Sequence, residues 1–67
     1  MIGLTINGQA RHFPEPMSLH DLVEKLELAG KRIAIEHNGE IVPRGQFASV
    51  KLTDGDALEI VVAVGGG

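Results

Sequence analysis

Two Asn-Gly dipeptides, Asn7-Gly8 and Asn38-Gly39, limit the fold of this chain more than any other feature. A two-residue hairpin turn needs positive φ at both central residues, and Asn-Gly is a pair well suited to it. Each dipeptide sits between short runs of strand type. Ile2, Leu4 and Ile6 alternate with Gly3, Thr5 and Asn7 before the first turn, and Gln9 to Phe13 returns after it. A period of two marks a strand with one buried face. Pro14 and Pro16 stop the returning strand, because proline cannot donate to a ladder. Ile33 to His37 and Glu40-Ile41-Val42 flank the second turn, and Pro43 closes it.

Between the hairpins lies one amphipathic helix. Ser18-Leu19-His20-Asp21 has the spacing of a capping box, with Asp in place of the stronger Glu. Leu19, Leu22, Val23 and Leu26 then recur at helical spacing and form one apolar stripe. Gly30 supplies a left-handed stop, which carries the expected helix through Leu28 and Ala29. A helical turn is expected around Gln46 and Phe47, within Arg44 to Val50. Asp54-Gly55-Asp56 reads as a third turn. Ala57 to Val64 reads as the last strand, with Leu58, Ile60, Val62 and Val64 on one face.

The order hairpin, helix, hairpin, strand predicts an α+β fold. One helix packs across one face of a mixed sheet of four to five strands. The first and last strands carry the most inward aliphatics, which predicts that they lie side by side at the sheet centre. The expected division is one domain over residues 1–64 and a glycine tail over residues 65–67.

The chain has 67 residues. A domain of that size buries only about 60% of the surface its unfolded chain exposes. Little interior remains for a ligand pocket of roughly 300–1,000 Å³, which argues against a self-contained enzyme. Six Lys+Arg against nine Asp+Glu give a net charge of −3. The basic residues are scattered, and there is no Trp or Tyr to stack on bases, so nucleic-acid binding is not expected. Cysteine is absent, which removes disulfides and thiolate metal sites. No apolar run approaches the ~18 residues of a membrane span, and the first residues lack the form of a signal peptide. The expectation is a cytoplasmic protein with no membrane partner.

After Val64 the sequence ends Gly65-Gly66-Gly67. Glycine has the largest ordering entropy of any residue, so the free tail is expected to be mobile. It reads equally as a frayed terminus and as a thin segment that threads a narrow channel to present a carboxylate. Other residues leave similar alternatives. His12, His20 and His37 fall on three different elements without ligand spacing and read as surface histidines. Arg44 reads as a partner contact or a solvated charge. Glu59, Val61 and Ala63, with Thr5 and Ala34, form either a docking patch beside the tail or an ordinary outer sheet face.

The segment Ile35-Glu36-His37-Asn38-Gly39-Glu40-Ile41-Val42-Pro43-Arg44, then Asp54-Gly55-Asp56 and the ending Val64-Gly65-Gly66-Gly67, resemble the sulfur carriers of thiamine thiazole biosynthesis, the ThiS family. The resemblance covers essentially the whole chain and implies a β-grasp, ubiquitin-like fold. It also implies a role. An E1-like adenylating enzyme would use ATP, bound by that enzyme and not by this chain, to activate the Gly67 carboxylate. A sulfur donor such as a cysteine desulfurase would convert it to a thiocarboxylate, and thiazole synthase would take the sulfur. Gly67 would be the modified residue and Gly66 its terminal partner. Gly65 stands where many members have another small residue. With Gly65, the residues Val61, Ala63 and Arg44 are the candidates for partner docking. Two other readings stand beside this one: a sulfur carrier of molybdopterin synthesis, and a ubiquitin-like interaction module without thiocarboxylate chemistry.

Overall fold

The computed structural model describes residues 1–63 of the chain. Five strands, one α-helix and one 3₁₀ helix follow in order: β1 (Ile2–Ile6), β2 (Gln9–Phe13), α1 (Leu19–Lys25), β3 (Ile33–His37), β4 (Glu40–Val42), the 3₁₀ helix Arg44–Ser49, and β5 (Ala57–Val62). The sheet order is β2-β1-β5-β3-β4. β1 and β5 are parallel neighbours at the centre, and the other pairings are antiparallel. The expected mixed sheet with its first and last strands side by side is therefore observed, at the upper end of the expected strand count.

Both Asn-Gly pairs form the turns their chemistry favours. Asn7 and Gly8 have φ of 51° and 82°, and Asn38 and Gly39 have 51° and 88°. These are the positive values that a primed hairpin turn demands. Gly3 is favoured for a different reason. A Cβ there would meet the Asp54 carboxylate and the His12 ring, each at 3.3 Å. The Gly3 amide instead donates to Asp54 Oδ1 at 2.6 Å, which ties the loop before β5 to β1.

The core is one layer of aliphatics between α1 and the inner sheet face. Leu4, Leu19, Leu22, Ile35, Leu52 and Leu58 are all fully buried within it. Phe13 and Phe47 are buried at its margins. The capping box is complete: the Asp21 amide donates to Ser18 Oγ at 3.1 Å, and the Ser18 amide donates to Asp21 Oδ2 at 3.4 Å.

Two expectations are corrected. The helix stops at Lys25, well before Ala29. Its left-handed residue is Glu27, at φ 61°, and Gly30 (φ 83°) sits in the turn that follows. The Leu28 amide donates to the Val23 carbonyl and the Glu27 amide to the Glu24 carbonyl. That bonding is a Schellman closure, and it folds Leu28 back onto the core. Packing of Leu28 has overridden the glycine signal. The second correction concerns the last strand, which ends at Val62. Val62 is on the core face yet 38% exposed, because the described pairing of β1 with β5 ends at Leu58. The expected Val64, the domain boundary beside it and the glycine tail lie outside the described residues.

Candidate functional site at the end of the last strand

β5 carries the chain to the tail, and its two sides are bonded unequally. Toward β1, the Thr5 amide donates to the Asp56 carbonyl at 3.0 Å and the Asn7 amide to the Leu58 carbonyl at 2.9 Å. The Asn7 side chain extends this ladder by one rung. Its Oδ1 accepts from the Ile60 amide at 2.7 Å, and its Nδ2 donates to the Ile60 carbonyl at 3.0 Å. Among the described residues the β1 side of β5 is unpaired beyond Ile60. Toward β3 the ladder runs further, through Val62 opposite Ile33 and an Ala63 amide that donates to the Arg32 carbonyl at 2.9 Å.

Past the exposed Glu59, which lies opposite Glu36, the outer face here is apolar. Val61 is 64% exposed and lies opposite Ala34, and Ala63 continues the same row. Thr5 belongs to this face too, but it sits at the other end of β5, opposite Ala57. The structure thus brings Val61, Ala63 and Ala34 together and sets Thr5 apart.

Arg44 opens the 3₁₀ helix and its guanidinium donates to the Lys31 carbonyl. Arg32, next in sequence, receives the Ala63 amide. Arg44 is therefore brought to the adjacent pair Lys31-Arg32 at the end of the sheet where β5 leaves it. Their charges are exposed. This convergence was not legible in the sequence, since it depends on the 3₁₀ helix folding back to the start of β3.

The opposite end of β5 is a buried polar hub that sequence reasoning missed. Asp56 is only 8% exposed. Its carboxylate accepts from the Thr53 amide at 2.9 Å, Thr53 Oγ1 at 3.1 Å and Asn38 Nδ2 at 3.2 Å. His37 Nε2 is 2.8 Å away. Burial alone would raise the Asp56 pKa; the hydrogen bonds from His37, Thr53 and Asn38 outweigh it and hold the value down at about 2. His37 is accordingly half-buried and bonded, a correction to its reading as a surface histidine. His20 does lie at the surface, 3.5 Å from Glu24 one helical turn on. Among the described residues no group of three or more His, Asp or Glu is placed to hold a metal ion. No helix there is long and apolar enough to cross a membrane.

A small β-sheet with one helix, a clamped central strand and an apolar, base-flanked exit toward three glycines can be set against known proteins. The sequence model of the ThiS family matches residues 4–67, the glycine end included. The chain belongs to the ThiS family. A solved thiamine biosynthesis protein, ThiS from Geobacter metallireducens, superposes on this family member with a TM-score of 0.84. It is 32% identical, over 98% of this chain and 100% of the other. The sulfur carrier protein ThiS of Bacillus subtilis is 38% identical over 65 residues, 96% of this chain and 98% of its own length. A thiazole synthase of Paramagnetospirillum magneticum is 44% identical over 64 residues. This ThiS-family chain spans only 20% of that synthase's length. The β-grasp fold and the assignment to the sulfur carriers of thiamine biosynthesis both follow from these likenesses.

Proposed function

We propose that the chain carries sulfur on Gly67. An E1-like partner adenylates the Gly67 carboxylate with ATP and releases pyrophosphate. The persulfide of a donor such as a cysteine desulfurase displaces AMP to form an acyl disulfide, and a thiol cleaves that S–S bond by forming a disulfide with the donor sulfur. The resulting thiocarboxylate gives its sulfur to thiazole synthase. A carboxylate is a poor electrophile, and adenylation supplies the leaving group that makes its carbon open to attack. Gly65 and Gly66 leave the approach to that carbon free of side chains. Sulfur stays covalently bound throughout, so no free sulfide is released.

The observation that supports this reading best is the family match that extends through Gly66 and Gly67. The fold supports it as well. Val61 and Ala63 lie on the exposed face just before the tail, and Arg44, Lys31 and Arg32 gather beside Ala63. Together these would form the docking surface that holds the tail in a partner's channel. The four residues past Ala63 span at most about 14 Å when extended, so the partner must seat close to this face. The thiazole synthase that contains a stretch like this chain supports a direct meeting of carrier and synthase. The intended partners are thus the adenylating enzyme, the sulfur donor and thiazole synthase, with ATP bound by the adenylating enzyme.

Intact-mass measurement after incubation with ATP, the adenylating enzyme and a sulfur donor tests the proposal. The expected result is replacement of one oxygen by one sulfur at Gly67, and no change when Gly67 is deleted or one residue is added after it. A deleted variant that still supports thiazole formation would refute it.

A further inference from the structure

The outer sheet face carries an electrostatic conflict that folding does not require. Glu36 and Glu59 are direct cross-strand partners on β3 and β5, both exposed. Directly opposed residues have Cβ atoms about 5 Å apart, and like charges in that position destabilise the pair. Alternation along the strands puts Gly3, Thr5, Ala10, His12, Ala57, Ala34 and Val61 on the same face. His12 lies at its far end, beside Gly3 and Asp54, and no Lys or Arg on a strand alternates onto it. Ile41, opposite Glu36 on β4, is 68% exposed there. Among the described residues the salt bridges are His20–Glu24 and His37–Asp56, and neither involves Glu36 or Glu59. The two carboxylates are thus adjacent, with small and apolar side chains beside them, and His12 and Asp54 lie at the Gly3 end of the face.

We infer that this face seats the adenylating partner, and that the partner brings an Arg or Lys side chain onto the Glu36–Glu59 pair from an otherwise apolar contact surface. The inference rests on the carrier function proposed above. The charge pattern argues against a second copy of this chain as the occupant. A second copy of this chain, packed face to face about a two-fold axis, would set two carboxylate pairs against each other. A cation from a different protein instead removes the repulsion on docking, and the surrounding apolar side chains exclude water and strengthen the attraction. Val61 lies on the same strand two residues past Glu59, so the seat is continuous with the root of the tail. A carrier with a neutral pair would lose discrimination for partners bearing that cation.

The test measures ATP-dependent adenylation of the full chain as a function of carrier concentration and salt. For the Glu36→Gln/Glu59→Gln double variant, KM for the carrier is expected to rise about tenfold with kcat unchanged, and its melting temperature to equal or exceed the wild type's. The wild-type KM is expected to climb with ionic strength, since exposed charges are screened over about 8 Å at 0.15 M salt, while the variant's KM stays flat. A Glu36→Lys/Glu59→Lys variant is expected to bind worse still. Equal KM and equal salt dependence in wild type and double variant would overturn the inference while leaving the carrier function intact. Absence of adenylation in the wild type would overturn both. Dimerisation of the wild type that the double variant abolishes would assign the face to a second copy and overturn the heterologous seat.

Discussion

Among the described residues, strand β5 is held from both sides from Ala57 to Ile60 and from one side from Val61 to Ala63. The first half has β1 and the Asn7 amide on one flank, β3 and the Asn38 side chain on the other, and the Asp56 hub at its start. Leu58 is 1% exposed. The second half keeps its bonds to β3 and Arg32 but has an open flank and exposed valines. Stability is concentrated where the strand enters the sheet, and accessible apolar surface where it leaves. A carrier domain benefits from this division. The clamped half fixes the direction of the chain, and the open half stays available to whatever receives the tail.

The widest separation of the two halves should come from truncating one aliphatic in each. Leu58→Ala removes a fully buried side chain and is expected to cost about 2–5 kcal/mol. That is a large share of the roughly 5–15 kcal/mol typical of a folded domain. Urea unfolding should show a correspondingly lower midpoint at an unchanged slope. A cost below about 1 kcal/mol would mean that the first half is not the anchor.

Asp56 comes next. Its carboxyl is held at about 2 against an ordinary 3.8. Because the folded-state value is the lower one, the native state favours the ionised form. The stabilisation is therefore complete above about pH 4 and fades as pH falls toward about 2. The difference corresponds to about 2 kcal/mol. Asp56→Asn should lower stability by that order at neutral pH and flatten the acid limb of a stability–pH profile. An acid limb unchanged in the variant would show that Asp56 does not link proton uptake to unfolding.

The Asn7 rung is smaller. Asn7→Asp keeps an acceptor for the Ile60 amide and loses the donor to the Ile60 carbonyl; Asn7→Gly keeps the turn and loses both. Each net hydrogen bond contributes about 1 kcal/mol, so the glycine variant should lose more than the aspartate variant. Faster amide exchange at Ile60 is expected in Asn7→Gly, with little change at Val61, whose partner is on β3. Equal exchange at the two positions would show that the side chain is not a rung.

This contrast also divides what the residues announced from what they concealed. The turn role of Asn7 and Asn38 was legible because positive φ is a local demand that two neighbouring residues meet. Their second role, bonding β5, was not, since it needs partners more than fifty positions away for Asn7. Asp56 read only as part of a turn for the same reason: His37 and Asn38 reach it across the sheet. Leu19, Leu22 and Val23 declared the helix by spacing, but its end was set by Leu28 packing inward, with Glu27 taking the left-handed position that glycine prefers. For the candidate site, alternation placed Val61 and Ala63 on the outer face, whereas the gathering of Lys31, Arg32 and Arg44 depended on one long-range hydrogen bond to a carbonyl.

The smallest expected change in stability lies in the open half, where it separates docking from folding. Val61 is already mostly in solvent, so Val61→Ser removes little buried area. Surface substitutions of this kind shift stability by within about 0.5 kcal/mol. If the exposed end of β5 exists for a partner, the same variant should still raise the carrier KM in the adenylation assay several-fold, with kcat retained. The pairing of an unmoved melting temperature with a raised KM is what an interface residue gives. A raised KM that tracks a fall in melting temperature would instead mean that Val61 supports the fold, and an unchanged KM would place the docking surface elsewhere on the sheet.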